Sequence, residues 1–193
     1  MTEQEFSAEE FAACRPELPE DGRWAELVAG RIVERDPPGE THGLIVLNLS
    51  RALSEWLQPQ AAAPPCSPCF ELGLLVQQNP DTVRFPAISF FPGNQAFDET
   101  GKTLTRSVPL LCIDVASTAR QAEQMPARAA EYLAMGVGTV WIFDIRDREV
   151  HVHSAGGDRR LVAGDSALLE AADILPGFQV PLGELFLLPR WWA

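Results

Sequence analysis

The run Val108-Pro109-Leu110-Leu111-Cys112-Ile113-Asp114-Val115-Ala116 constrains the fold more than any other segment, because it is almost unbroken in apolar residues. A strand that shows no polar alternation belongs at the centre of a sheet covered on both faces. Two helical patterns flank it in the chain. From His42 to Gln58, Ile45, Leu49, Ala52, Leu53 and Trp56 recur at helical spacing, with Asn48, Arg51, Glu55 and Gln58 opposite them. Thr41 is placed to cap this helix and Pro59 to end it. The second pattern, Ala119 to Met135, is Ala-rich and closes on Gly136. Pro126 lies inside it, so the regular helix either begins near Pro126 or kinks there.

The remaining segments fill in a sheet. Ser7 and Glu10 form a capping-box pattern for a short helix reaching Cys14. Two alternating stretches, Trp24–Val28 and Arg31–Arg35, flank Ala29-Gly30 and read as a hairpin. Strands are expected over 70–78 and 82–91, joined by the turn Asn79-Pro80-Asp81. Further strands are expected over 139–143, 150–153 and 160–162, and a short helix over 182–186. The order of elements predicts an α/β (α+β mixed sheet) fold in a single domain spanning residues 1–193.

Composition narrows the function. The 193 residues are 46% hydrophobic and 22% charged, with 15 Lys and Arg against 27 Asp and Glu, a net charge of −12. Non-specific coating of nucleic acid needs clustered cations and is disfavoured, although a local basic cleft or a carboxylate-rich metal site is compatible with this balance. No run approaches a membrane span and the N-terminus has no apolar targeting core, so a cytoplasmic protein with no membrane partner is expected. Cys66 and Cys69 have CxxC spacing, but Cys14 and Cys112 are solitary and the surrounding prolines favour a loop or strand edge over a redox or zinc site. His151 and His153 share one strand face and lack a third ligand, which favours a solvated face over a metal site.

Two acids stand where a core would exclude them. Glu26 shares its hairpin face with Trp24 and Val28, so its carboxylate points to an apolar side unless it is paired or holds a cation. Asp114 interrupts the central strand, and Arg128 follows on the next helix. Such a set can bind Mg²⁺ beside a phosphate, or it can be a structural ion pair.

These segments resemble the Uma family of restriction-endonuclease-like proteins in the PD-(D/E)XK nuclease superfamily. Trp24-Ala25-Glu26-Leu27-Val28-Ala29-Gly30-Arg31-Ile32-Val33 is similar to its opening hairpin, and Pro37-Pro38 with His42-Gly43 to its next block. Arg84-Phe85-Pro86-Ala87-Ile88 falls where the family has Pro-Asp before an apolar strand. Asp114-Val115-Ala116-Ser117 falls at its Glu-Val-x-Ser element. The helix from Arg128 to Gly136, then Val140-Trp141-Ile142-Phe143-Asp144, resembles Lys-x-x-x-Tyr-x-x-x-Gly-Val and Val-Trp-x-x-Asp, and Leu175-Pro176-Gly177-Phe178 with Glu184-Leu185-Phe186 its closing elements.

The resemblance implies a restriction-endonuclease-like core with flanking helices, DNA as substrate, and Mg²⁺ held by acids beside a helix Lys. Carried onto this chain, Glu26 and Asp114 are the candidate metal ligands, and Glu26, Asp114 and Arg128 the candidate catalytic set. Three of the four positions depart from the pattern: Ala87 stands for the Pro-Asp aspartate, Asp114 for the Glu, and Arg128 for the Lys. Three functions are weighed. One is a Mg²⁺-dependent DNA endonuclease using Glu26 and Asp114. Another is a decayed member that cleaves weakly or not at all and persists as a binding or dimerising module. The third is a structural oligomer, with Leu187-Leu188-Pro189-Arg190-Trp191-Trp192 as a subunit contact. The lost acids favour decay, and a homodimer is the expected assembly.

Overall fold

The structure, a computed structural model, describes residues 5–60, 64–93, 101–164 and 166–188. Helix α1 (Ala8–Cys14) starts as expected, with Ser7 and Glu10 bonding reciprocally in a capping box. Strands β1 (Ala25–Val28) and β2 (Arg31–Glu34) pair antiparallel across Ala29-Gly30. Both loop residues have positive φ, 48° and 76°, the geometry that suits the twist of a two-residue hairpin. Helix α2 (Glu40–Leu57) follows. Its N-cap is Gly39, with no side-chain cap, so Thr41 lies inside the first turn and does not cap the helix. The Gly39 N–H is taken instead by Ser117 Oγ at 3.0 Å, which pins the helix start to a neighbouring segment.

Four strands then form one long bent hairpin. β3 (Cys66–Phe70) pairs with β6 (Ile88–Pro92), and β4 (Gly73–Gln77) pairs with β5 (Thr82–Arg84), yet the two pairs belong to different sheets. The expected strands 70–78 and 82–91 are therefore each broken. One arm changes sheet at Glu71-Leu72, where Glu71 takes φ 49°. The other changes at Phe85-Pro86-Ala87, where Pro86 has no N–H to give a ladder. Pro68 lies in β3, an edge strand of its sheet, which is where a strand proline is tolerated.

After β7 (Leu104–Thr105) comes β8 (Leu111–Ala116), buried at every residue. It begins three residues later than Val108, the expected start. Helix α3 (Ala119–Met135) is capped by Thr118, whose hydroxyl accepts from the Gln121 N–H at 3.2 Å. The helix thus starts seven residues before Pro126 and runs through it. Of the two readings of Pro126, a helix start there is excluded. Gly136 ends α3 at φ 108°, a left-handed cap. The chain continues through β9 (Thr139–Asp144), β10 (Glu149–Ser154), β11 (Arg159–Val162), β12 (Leu168–Glu170), β13 (Gln179–Pro181) and α4 (Leu182–Leu185).

Two main sheets result, ordered β2-β1-β5-β4-β7 and β11-β10-β9-β8-β6-β3, with β12 and β13 as a separate pair. β8 and β9 are parallel neighbours joined by α3, and β6 pairs antiparallel with β8. α2 covers one face of the six-stranded sheet through Ile45, Leu49 and Leu53 against Ile113, Val115 and Trp141. α3 covers the other through Met125, Ala129 and Tyr132 against Cys112, Ala116 and Ile142. The same cluster takes in Leu72, Leu74 and Val76, so α3 also packs on the five-stranded sheet. The far face of that smaller sheet is closed by α1, with Phe11 against Leu27, Val83 and Phe85. This is the mixed α/β arrangement expected from the sequence. No helix among the described residues is long and apolar enough to cross a membrane. The tail expected as a subunit contact lies outside the described residues from position 189 onward.

Gly73 sits at the sheet change. A Cβ there would stand 2.9 Å from both Phe85 Cε1 and the Thr103 carbonyl oxygen. Gly73→Ala is expected to destabilise the protein by about 1–3 kcal/mol through overpacking, read as a lower midpoint in denaturant with an unchanged slope.

Candidate functional site

Strand alternation and helix periodicity bring the expected residues together. In β8, Ile113 and Val115 face α2, so Asp114 turns to the α3 side with Cys112 and Ala116. On α3 the buried face is Gln121, Met125, Arg128, Ala129 and Tyr132, a spacing of three and four residues that sets Arg128 and Tyr132 over Asp114. In β1 the apolar face is Ala25 and Leu27, packed on α1. Glu26 points the opposite way and is 2% exposed. The expected apolar surroundings of Glu26 are thus corrected: its carboxylate meets arginines.

Arg128 is the hinge of the cluster. Its Nη1 donates to both oxygens of Glu26, at 2.8 and 2.7 Å. Nε and Nη2 both reach Asp114 Oδ2 at 3.0 Å. Nη2 also donates to the Tyr132 hydroxyl at 3.1 Å, and that hydroxyl donates to Asp114 Oδ2 at 2.9 Å. Glu26 accepts further bonds from Arg35 Nη1 at 3.0 Å, Arg84 Nη1 at 2.9 Å and the Phe85 N–H at 3.3 Å. Arg84 in turn holds Glu131 with Nε at 2.7 Å and Nη2 at 2.8 Å. Three carboxylates and three guanidiniums balance, which is how buried charges become tolerable.

The charges set the titration behaviour. Burial alone would raise the Glu26 carboxyl, but the Arg128, Arg35 and Arg84 guanidiniums overcome it and hold the group at about 2. Burial likewise works against the Arg128 cation, and Asp114 and Glu26 outweigh it, so its pKa rises well above the ordinary value. Tyr132 is pushed well up, first by burial, and stays a neutral hydroxyl that can both donate and accept.

Two clefts flank the cluster. The first, of roughly 490 Å³ and open to solvent, is lined by Arg15, Arg23, Arg35, His42, Ala87 and Asp114 among others. Ala87 therefore sits where the resemblance expects an acid, and it offers a methyl group. Burial lowers the His42 pKa, and its buried Nδ1 has no hydrogen-bond partner among the described residues. The second cleft lies between the β1–β2 hairpin and α3, lined by Glu26, Arg35, Arg84, Arg120 and Arg128 with Glu34 and Glu123. Arg35, Asp36 and Gln121 line both. Gln121 Nε2 donates to the Asp36 carbonyl at 3.3 Å, which fastens this divide to α3.

A divalent ion at Glu26 and Asp114 would need open carboxylate oxygens and surplus negative charge. Both Glu26 oxygens and Asp114 Oδ2 instead take guanidinium donors, and position 87 carries no ligand. Among the described residues, no group of three or more His, Cys, Asp or Glu is arranged to hold a metal. The residues present do not fit Mg²⁺.

Arg35, Arg84, Glu131 and Tyr132 complete the cluster, and the sequence reading did not assign them to it. Arg84 lies three residues before Ala87, and Glu131 three after Arg128, so local proximity to the motif positions was the available signal. The other expected candidates lie apart. His151 and His153 are on one face of β10 but are only partly solvated: His151 Nε2 pairs with Glu149 Oε1 at 2.7 Å, and His153 Nδ1 with Asp158 Oδ1 at 3.0 Å. None of the four cysteines forms a disulfide, and Cys66 is buried with its thiol pushed up to about 11 by that burial, which makes it unreactive.

Comparison with known proteins agrees with this arrangement of elements. The model of the Uma2 family, described as "Putative restriction endonuclease", matches residues 8–183. Among solved structures the chain is similar to "a putative nuclease belonging to DUF820 from Anabaena variabilis ATCC 29413", with a TM-score of 0.75 and 19% identity over 94% of this chain and 97% of that one. At that identity the likeness shows the shared restriction-endonuclease-like fold. No curated protein matches the chain.

The depressed Glu26 pKa gives a pH dependence. Glu26 unfolds into a carboxyl near 4.5 and folds into one near 2, so its contribution to stability is complete above about 4.5 and is lost as pH falls toward 2. Acid denaturation followed by circular dichroism should show this loss in the wild type and a shallower slope across that window in Glu26→Gln. At neutral pH, Arg128→Met should cost about 3–5 kcal/mol, because it strands two buried carboxylates.

Proposed function

The chain belongs to the Uma2 family of restriction-endonuclease-like proteins, and on that premise we propose that it keeps the nuclease fold while Arg128 has taken the place of the metal centre, leaving little or no cleavage. The observation that carries this reading is the single guanidinium joining Glu26 to Asp114.

Enzymes of this family type usually use a divalent metal, which activates water and neutralises the scissile phosphate. Arg128 can supply neither service. A guanidinium stays protonated at working pH and cannot act as a base. Its Nε, Nη1 and Nη2 are all committed to Glu26, Asp114 and Tyr132, so it has little left to offer a phosphate. The rival reading, a Mg²⁺ endonuclease using Glu26 and Asp114, requires this buried guanidinium to leave its two partners. Its departure would expose two close carboxylates to each other and uncover a charge at 6% side-chain exposure.

The same reading takes DNA as the polyanion the protein meets, a homodimer as its assembly and the cytoplasm as its compartment. Four cysteines outside any disulfide support a reducing environment. Leu187 and Leu188, 57% and 65% exposed, support a subunit contact. Light scattering on the purified chain checks the dimer.

The test is cleavage of supercoiled plasmid in Mg²⁺ or Mn²⁺, beside calorimetric titration of each ion. The wild type is expected to show neither cleavage nor saturable ion binding. Ala87→Asp, Asp114→Glu and Arg128→Lys together should create Mg²⁺ binding greater than the sum of the separate changes, because the groups would share one ion. Robust Mg²⁺-dependent cleavage by the wild type, abolished in Asp114→Ala, would overturn the proposal.

A further inference from the structure

Helix α3 divides the Arg128 cluster from a pocket that takes no part in it. Arg120, Gln124, Ala127 and Arg128 border the second cleft. Ala122 and Pro126 line a solvent-open pocket of about 360 Å³ on the opposite flank of the helix, as a turn of about 100° per residue requires. Sheet register completes the pocket. In β10, Val150 and Val152 pack on the α2 side, so His151 and His153 stand on the α3 side. Ile142 of β9 is the direct neighbour of His151, and Asp144 lies two residues further along the same face. Met125 and Ile142 are buried beneath the opening and give it an apolar floor.

The polar groups of this pocket are acceptors. His151 Nε2 gives its hydrogen to Glu149 Oε1 at 2.7 Å, and His153 Nδ1 gives its hydrogen to Asp158 Oδ1 at 3.0 Å, because a carboxylate can only accept. Arg160 bonds Glu149 and holds its carboxyl below the ordinary range, which keeps it ionised. In the neutral rings His151 Nδ1 and His153 Nε2 are therefore lone-pair acceptors. Neither has a partner among the described residues, and neither is buried, since only His42 Nδ1 and Trp141 Nε1 are buried there without one. The two rings lie 12° from parallel with centroids 6.4 Å apart, so they offer flat faces side by side. Asp144 adds a charge. Its Oδ1 is taken by the Arg146 and Asp147 N–H groups at 3.0 and 3.4 Å. Among the described residues its Oδ2 is held by Arg146 Nη2 alone, at 3.2 Å and from a side chain 44% exposed. No Lys or Arg is among the described residues lining the pocket.

We propose that this pocket binds a small planar cation of the amidinium or guanidinium class carried on an aromatic body. Asp144 Oδ2 is its counter-charge, His151 Nδ1 and His153 Nε2 are acceptors, and Met125 and Ile142 lie under the apolar part. A flat cation with N–H groups along its edge satisfies a carboxylate and neighbouring acceptors together. The Met125 thioether and the two imidazole faces suit an aromatic body. An anion would meet the Asp144 charge and two lone pairs, and the net charge of −12 adds to its exclusion. Arg146 is the competitor already present. The ligand takes its place on Oδ2 and the arginine turns into solvent, at a cost that its exposure keeps small. The site is independent of the Arg128 cluster and of the fate of the metal positions.

The full chain is titrated calorimetrically with benzamidine, and in parallel with benzoate, an anion of the same shape. Benzamidine should bind saturably and benzoate should not. Asp144→Asn should weaken benzamidine about tenfold, the loss expected for one charged hydrogen bond, and Arg146→Ala should tighten it by removing the competitor. His153→Phe, which keeps a ring face and removes the nitrogens, should weaken it. Ala122→Leu fills the pocket from a partly exposed helix position and should abolish binding with the melting temperature retained, which decides the matter if the Asp144 variant fails to fold. Absence of saturable benzamidine binding would overturn the site. Equal binding of benzoate, or binding indifferent to Ala122→Leu and Arg146→Ala, would also overturn it. Saturable Ni²⁺ binding lost in His151→Phe, without benzamidine binding, would replace it with a two-histidine metal site. None of these readouts involves DNA or Mg²⁺, so the result stands apart from the cleavage test.

Discussion

The Arg128 guanidinium, buried between Glu26 and Asp114, is the contact on which the rest of the arrangement depends. Asp114 belongs to the six-stranded sheet and Glu26 to the five-stranded one, while Arg128 rides on the helix packed between them. A buried cation is tolerable only when its hydrogens meet acceptors, so this one residue fixes both the rotation of α3 and the approach of the hairpin. Turning α3 by one residue would swing the guanidinium about 100° away from both acids. Tyr132, one turn further along, locks the same rotation by bonding to Asp114 and Arg128 together.

Charge balance explains why the three departures from the family pattern belong together. A metal site holds its ion through surplus negative charge. Here Glu26, Asp114 and Glu131 are matched by Arg35, Arg84 and Arg128. Ala87 removes an acid that would have unbalanced this set. Asp114 accepts from the Arg128 guanidinium, a permanent cation that balances the buried carboxylates but cannot act as a base. The outcome is a centre whose hydrogen bonds are turned inward.

The fold was readable where a single element carries its own pattern. The stripe Ile45, Leu49, Leu53 does face the core, the capping box at Ser7 forms, and Gly136 ends its helix as a left-handed cap. The bent hairpin was not readable. Apolar residues run through 72–76 and 85–91 with consecutive positions buried, so neither stretch carries a period that marks a change of sheet. Only Pro86 and the left-handed Glu71 mark the change, and neither specifies a second sheet. The Thr41 cap failed for a related reason, since the Gly39 N–H found Ser117 from a distant part of the chain.

The sequence by itself determined which residues are anomalous: an acid inside a buried strand, an acid on a hairpin, an arginine where a lysine is expected, and an alanine after Pro86. Side-chain chemistry and local periodicity are enough to mark the two acids, while the arginine and the alanine stand out only against the family resemblance. Whether those acids would hold a metal, a phosphate or each other's counterions was decided only by tertiary structure. The choice turns on separations of about 3 Å between groups far apart in the chain, such as Glu26 and Arg128. It also turns on Arg35 and Arg84 arriving from two other strand ends to complete the neutralisation. Coulombic interaction at such distances in a dry interior far exceeds any local propensity, and no local pattern in the chain records it.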